Sequence, residues 1–269
     1  MSLRVLAAKI LGVDPARADI LIELRRGART IGLFATPAGL AHGFGASRQV
    51  LVKLYKGDGS TAGNEEYRTY HGLHFQRTAA MTGNPHIQQS LAAGIDCSSG
   101  VPHPYAILEY IPGMELADII EAGRLTVPEA IRIFDHIMMK IWIPLWSAGL
   151  RFKDCHPGNF IVQAGGSVFM IDTEQIRKDV AEFLHTPECW QKRDRHEELG
   201  IQRLPGLIVR LIRSARPDCK EGTMDREVRR LLADIRMPAH LHGLGRGGAD
   251  AEARGAAQEL AERLARMWG

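Results

Sequence analysis

Cysteine is scarce, and its four copies (Cys97, Cys155, Cys189 and Cys219) are scattered without the look of a disulfide framework. A disulfide-stapled secreted scaffold is therefore excluded, and a reducing, cytoplasmic setting is expected. No second Cys or His stands at zinc-finger spacing from Cys155 or His156, which argues against a zinc site. Long hydrophobic runs are also missing: none approaches the roughly 18 residues that a membrane span needs. The start, Met1 to Val13, is basic and apolar like a signal peptide, but Lys9 interrupts its run. Leu3, Leu6, Ala7 and Ile10 instead fall on one face of a short amphipathic helix, expected to pack on the domain. Charge of one sign is not in excess either. Thirty-four Lys and Arg against 31 Asp and Glu do not argue for a nucleic-acid partner. There is no Walker A sequence, and Gly243-Leu244-Gly245-Arg246-Gly247-Gly248 spells Gly-x-Gly-x-x-Gly with no strand before it, so it reads as a linker.

What is present is an ordinary globular composition, 45% apolar and 24% charged over 269 residues, enough for one large domain or two lobes. Strands are predicted at Ile20–Leu24, Thr30–Phe34 and Gln49–Tyr55, with a further one at Leu40–Phe44. In the clearest of them Val50, Val52 and Leu54 share one side, leaving Leu51, Lys53 and Tyr55 on the other. Asn64–Leu73 reads as a helix whose buried stripe is Glu66, Tyr70 and Leu73. Two more strands, Ser90–Ile95 and Tyr105–Leu108, flank a Ser/Gly/Pro-rich turn. A core helix runs from Val127 through Ile141, with Pro128 in its first turn and Pro144 ending or kinking it. Beyond Asp172 the chain turns helical, at Leu204–Arg216, Asp225–Arg236 and Ala249–Trp268.

The chemistry concentrates in Phe152-Lys153-Asp154-Cys155-His156-Pro157-Gly158-Asn159 and, after two short strands joined at Gly165-Gly166, in Ile171-Asp172. If those strands fold back as a hairpin, Asp154, Asn159 and Asp172 share one pocket. That inventory suits phosphoryl transfer: one Asp takes a hydroxyl proton, while Asn and a second Asp offer hard oxygens to Mg²⁺. Asp154-x-His156-Pro157-Gly158-Asn159 followed by Ile171-Asp172 resembles the catalytic and metal-binding loops of the protein-kinase-like superfamily, most of all its aminoglycoside-phosphotransferase branch. Phe152 stands where that family's first loop begins with His, and Thr173-Glu174 replaces the Phe-Gly of Asp-Phe-Gly.

The resemblance implies an α+β, bilobal protein-kinase-like fold: an N-terminal antiparallel sheet lobe over residues 1–108, a hinge at 109–115 and a helical lobe over 116–269. It implies Asp154 as catalytic base with His156 beside it, and Asn159 and Asp172 as Mg²⁺ ligands. Lys53, paired with Glu66, is expected at the ATP phosphates. The Glu109 carbonyl and Ile111 amide are expected at adenine, and Glu115 at the ribose. The implied reaction moves the γ-phosphate of ATP to a hydroxyl. His156 tilts the acceptor toward a small molecule or sugar, with a protein serine/threonine kinase as the alternative and a nucleotide-binding pseudokinase or scaffold as the rival of another class. Arg210, Arg213 and Arg216 recur on one helix face, which is either solvated or open to an acidic partner, a membrane surface or a phosphorylated sugar.

Overall fold

Alternation of Val50, Val52 and Leu54 with Leu51, Lys53 and Tyr55 is the pattern of a strand covered on both faces, and it lies at the centre of the first sheet. The computed structural model describes residues 1–24, 30–45, 48–55, 82–148, 150–152, 156–173, 176–178, 203–237 and 249–269. They divide into two compact units, Met1–Ala80 with Gln88–Ile111 and Met81–Ile87 with Pro112–Gly269. The fold is α+β, with an antiparallel sheet in the N-terminal part and helices in the C-terminal part, consistent with a bilobal kinase-like fold.

In the first unit, helix α1 (Leu3–Ile10) is capped by Ser2, whose hydroxyl accepts from the Val5 amide at 3.3 Å. Its apolar face buries Leu6, Ala7 and Ala8 in one cluster with Val50, Val52 and Leu54, as its periodicity requires. Strands β1 (Ile22–Glu23), β2 (Thr30–Ala35), β3 (Val50–Tyr55), β4 (Ser90–Asp96) and β5 (His103–Glu109) form an antiparallel sheet in the order β1-β2-β3-β5-β4. Lys53 lies opposite Leu33 on β2 and Ala106 on β5. Strand β4 is an edge, and Ile95 near its end is 57% exposed. The strand expected at Leu40–Phe44 does not form. The segment turns on local bonds instead: Gly43 donates to the Leu11 carbonyl at 3.0 Å, Gly45 to that of His42 at 3.1 Å, and the Phe44 amide to His42 Nδ1 at 2.9 Å. Those bonds use the groups that a ladder would need.

In the second unit, β6 (Met114–Glu115) leads into α2 (Leu116–Glu121) and then α3 (Val127–His136), which starts at a Thr126/Glu129 capping box. The expected kink at Pro144 takes a specific form. Between α3 and α4 (Ile143–Ser147) the chain widens into a π-helical turn, Ile137–Trp142. The Ile143 amide bonds the Met138 carbonyl, which leaves that of Met139 without its helical donor, and proline has no N–H for the carbonyl of Lys140. Side chains take both. Arg254 Nη1 donates to Met139 O at 3.2 Å and Asn84 Nδ2 to Lys140 O at 2.8 Å. Trp142 and Trp146 stack at 5.8 Å, each almost fully buried.

Strands β7 (Leu150–Phe152), β8 (Phe160–Val162), β9 (Val168–Met170) and β10 (Ile176–Lys178) follow, with β7 paired to β10 and a second sheet in the order β6-β8-β9. Helix α5 (residues 203–215), α6 (Glu221–Asp234) and α7 (Ala249–Trp268) complete the unit. Leu260 and Leu264 are buried on α7 as their spacing predicts. No helix among the described residues is long and apolar enough to cross a membrane. Two of the three arginines singled out, Arg213 on α5 and Arg216 just past its end, meet acids within the chain: Arg213 pairs with Glu221, and Arg216 Nε with Asp218 at 3.1 Å.

Candidate functional site

The hairpin anticipated at Gly165-Gly166 forms. Phe160 pairs with Met170, Ile161 with Phe169 and Val162 with Val168, closed by the Gly166 amide on the Gln163 carbonyl at 2.8 Å with Gly166 at φ 80°. The ladder runs one step past the strands, because the Ile171 amide donates to the Asn159 carbonyl at 2.8 Å. Asn159 is thus paired with Ile171, and Asp172 follows one residue beyond at the same open end of the hairpin. Asn159, 3% exposed, ends a 3₁₀ turn (Pro157–Asn159) that His156 caps, its Nδ1 accepting from the Gly158 amide at 3.1 Å. Nδ1 is thus unprotonated there, and the ring braces the loop that presents Asn159.

Asp172 adopts φ 55°, left-handed backbone that is sterically unfavourable outside glycine and tolerated best by Asn and Asp. Next to it Thr173 is fully buried, its hydroxyl without a hydrogen-bond partner among the described residues. Strain beside a buried hydroxyl without a partner among the described residues makes these consecutive positions a candidate site. Behind the hairpin Gly113, at φ 151°, lets β6 approach β8 so closely that a Cβ there would lie 2.6 Å from the Val162 carbonyl oxygen.

The remaining expected residues are placed as follows. Lys53, on β3 of the first unit, has its Nζ 5.3 Å from the centre of the Tyr55 ring. The Glu109 carbonyl accepts from Gln88 Nε2 at 2.9 Å, while its carboxylate takes Arg48 Nη2 at 2.9 Å. A carbonyl has a second lone pair, so this does not close it to another donor. The Glu109 and Tyr110 amides bond Gln89 and Gln49, and the Ile111 amide has no partner among the described residues. Glu115 stands at the N-cap of α2 without bonding the first-turn amides. Glu66 and Asp154 lie outside the described residues. Among the described residues no group of three or more His, Cys, Asp and Glu gathers to hold a metal ion.

Sequence reasoning missed Asn84, His86 and His136. His86 Nδ1 lies 3.1 Å from both the Val168 carbonyl and His136 Nε2, and the Met170 amide donates to the His86 carbonyl at 2.8 Å. Nothing local marks these residues: Asn84-Pro85 reads as a turn, and His136 as the end of a core helix.

No family model matches the chain. A stretch of 132 residues, 49% of the chain, is 26% identical to a probable serine/threonine-protein kinase of Streptomyces coelicolor. The match spans about a fifth of that relative, 19% of its length.

Proposed function

We propose that this chain is a phosphotransferase that moves the γ-phosphate of ATP to a hydroxyl. The observation that carries the reading is the hairpin whose open end carries Asn159 and, one residue past its partner Ile171, Asp172, with Asp172 in a backbone conformation that costs stability. An amide oxygen and a carboxylate form a donor set that fits Mg²⁺, a hard cation that seeks oxygen. Bound there, Mg²⁺-ATP would supply the transferable phosphoryl group with its charge neutralised. Asp154 accepts the acceptor's hydroxyl proton, and His156 fixes the loop between Asp154 and Asn159. Lys53, with Glu66 as its partner, contacts the phosphates. The backbone of Glu109 and Ile111 reads adenine, and Glu115 the ribose. In support, 26% of the 132 residues aligned with the kinase named above, about half of this chain, are identical.

For the acceptor we favour a small molecule or sugar, on His156 and the likeness of its loop to small-molecule kinases. The name of the Streptomyces relative favours the second reading, a protein serine or threonine. The scattered cysteines favour a cytoplasmic setting. Transfer of labelled γ-phosphate to a panel of metabolites and proteins separates the two acceptors. Asp154→Ala is expected to abolish ATP turnover while Mg²⁺-ATP still binds. Equal turnover in variant and parent overturns the reading, and absence of turnover in both favours a nucleotide-binding pseudokinase.

A further inference from the structure

Strand β9 is the edge of its sheet, and edge strands leave outward N–H and C=O groups to be satisfied. Here two histidines satisfy them. Val168 donates its amide to His136 Nε2 at 3.4 Å. A backbone amide can only donate, so Nε2 carries a lone pair and the proton of neutral His136 sits on Nδ1. The Val168 carbonyl can only accept, so His86 Nδ1, 3.1 Å away, carries a proton that also points at His136 Nε2. One assignment of tautomers is compatible with all three contacts, with the single His86 Nδ1 proton shared between the Val168 carbonyl and His136 Nε2. The rings meet edge to face with centroids 4.6 Å apart, and His86 also packs on Phe169. Segment 84–87 is itself anchored at both ends, by Asn84 on the π-turn carbonyl of Lys140 and by the Ile87–Met170 bridge.

We propose that His86 and His136 form a proton-sensitive clasp on β9, positioning residues that hold the hairpin bearing Asn159 and Asp172, and that one proton on His136 Nε2 opens it. Protonation places an N–H at Nε2 against two donors, the Val168 amide and His86 Nδ1–H, so both contacts are lost together. The surroundings resist that proton: burial first, then His86 and Lys140, hold His136 below the usual imidazole range. His136 lines a cavity of about 900 Å³ with Glu129, Arg132 and Asp135 from its own helix, Lys140 of the π turn and Glu262 from α7, and Arg254 of α7 bonds the nearby Met139 carbonyl. Burial pushes the Asp135 carboxyl up from its usual range, against the pull of Lys140. The hairpin itself, Phe160 to Met170, contains no titratable side chain. The folded form disfavours the proton, so the clasp is intact above about pH 6.5 and weakens as pH falls through that value toward the lowered one of His136.

The consequence for phosphotransfer rests on the function proposed above, whereas the clasp is tested without nucleotide. Amide exchange at Val168, corrected for intrinsic rates, should lose up to about tenfold in protection between about pH 7.5 and pH 5.5. His136→Gln keeps an acceptor oxygen near Nε2 but cannot take the proton, and its protection should stay flat. Equal loss in both proteins, or loss in neither, overturns the clasp. Nitrogen-15 shifts of the parent's imidazoles give a second test that needs no variant: His136 is expected as the Nδ1–H tautomer, and an Nε2–H tautomer overturns the proposal. In the kinase reading, the KM for Mg²⁺-ATP rises at the acid end in the parent and not in His136→Gln. A flat KM beside the expected exchange result counts against that reading alone.

Discussion

At Asp172 stability and chemistry pull apart. Left-handed backbone costs a non-glycine residue about 1–2 kcal/mol, and glycine removes that cost. Asp172→Gly should therefore leave the melting temperature equal or higher while it weakens Mg²⁺-dependent ATP binding at least about tenfold, near 1.4 kcal/mol. Calorimetry of binding and of unfolding on the same variant checks both halves, and unchanged affinity removes Asp172 from the metal site. Gly113 poses the opposite case, because its lack of a side chain is the requirement. Gly113→Ala puts a methyl against the Ile161 side chain and the Val162 carbonyl, and should cost about 1–3 kcal/mol in denaturant unfolding.

The hairpin and the π turn contrast in how far each can be inferred from residues. Phe160–Met170 was legible because everything that makes a hairpin is local: a Gly-Gly turn between two apolar runs. Pro144 was legible as a disturbance, but the form of that disturbance was not. A π turn becomes affordable when Asn84 and Arg254, remote in sequence, reach the two carbonyls it frees. Their interdependence can be measured. Asn84→Ala should cost about 0.5–1.5 kcal/mol in the parent. In a Pro144→Ala background position 144 supplies the missing N–H, so the same substitution should cost less. Additive effects would break the link between the proline and Asn84. The loss of the strand at Leu40–Phe44 has the same origin, since the Leu11 carbonyl that captures Gly43 belongs to the end of α1.

Over the whole molecule, the α+β layout and the three helices from Leu204 onward followed from periodicity, since burial repeats at the spacing of each element, although the helix expected at Asp225–Arg236 runs over Glu221–Asp234. The candidate site followed only in part. One hairpin carries Asn159 and Asp172 at the same end, whereas Asp154 and Glu66 fall outside the described residues, and the histidine pair joins positions whose proximity no spacing announces. Packing of α1 on the sheet is a whole-unit property: Leu6 is 1% exposed, and Leu6→Ala should lower stability by about 2–5 kcal/mol, read from chemical unfolding. The outer side of β4 has a different significance. With Ile95 open to water near the end of a strand that is an edge among the described residues, two copies can join edge to edge in a concentrated solution, before any loss of native structure. A lysine at that position would set charge against charge across such a seam. Ile95→Lys should accordingly stay clear by light scattering at concentrations where the parent turns turbid.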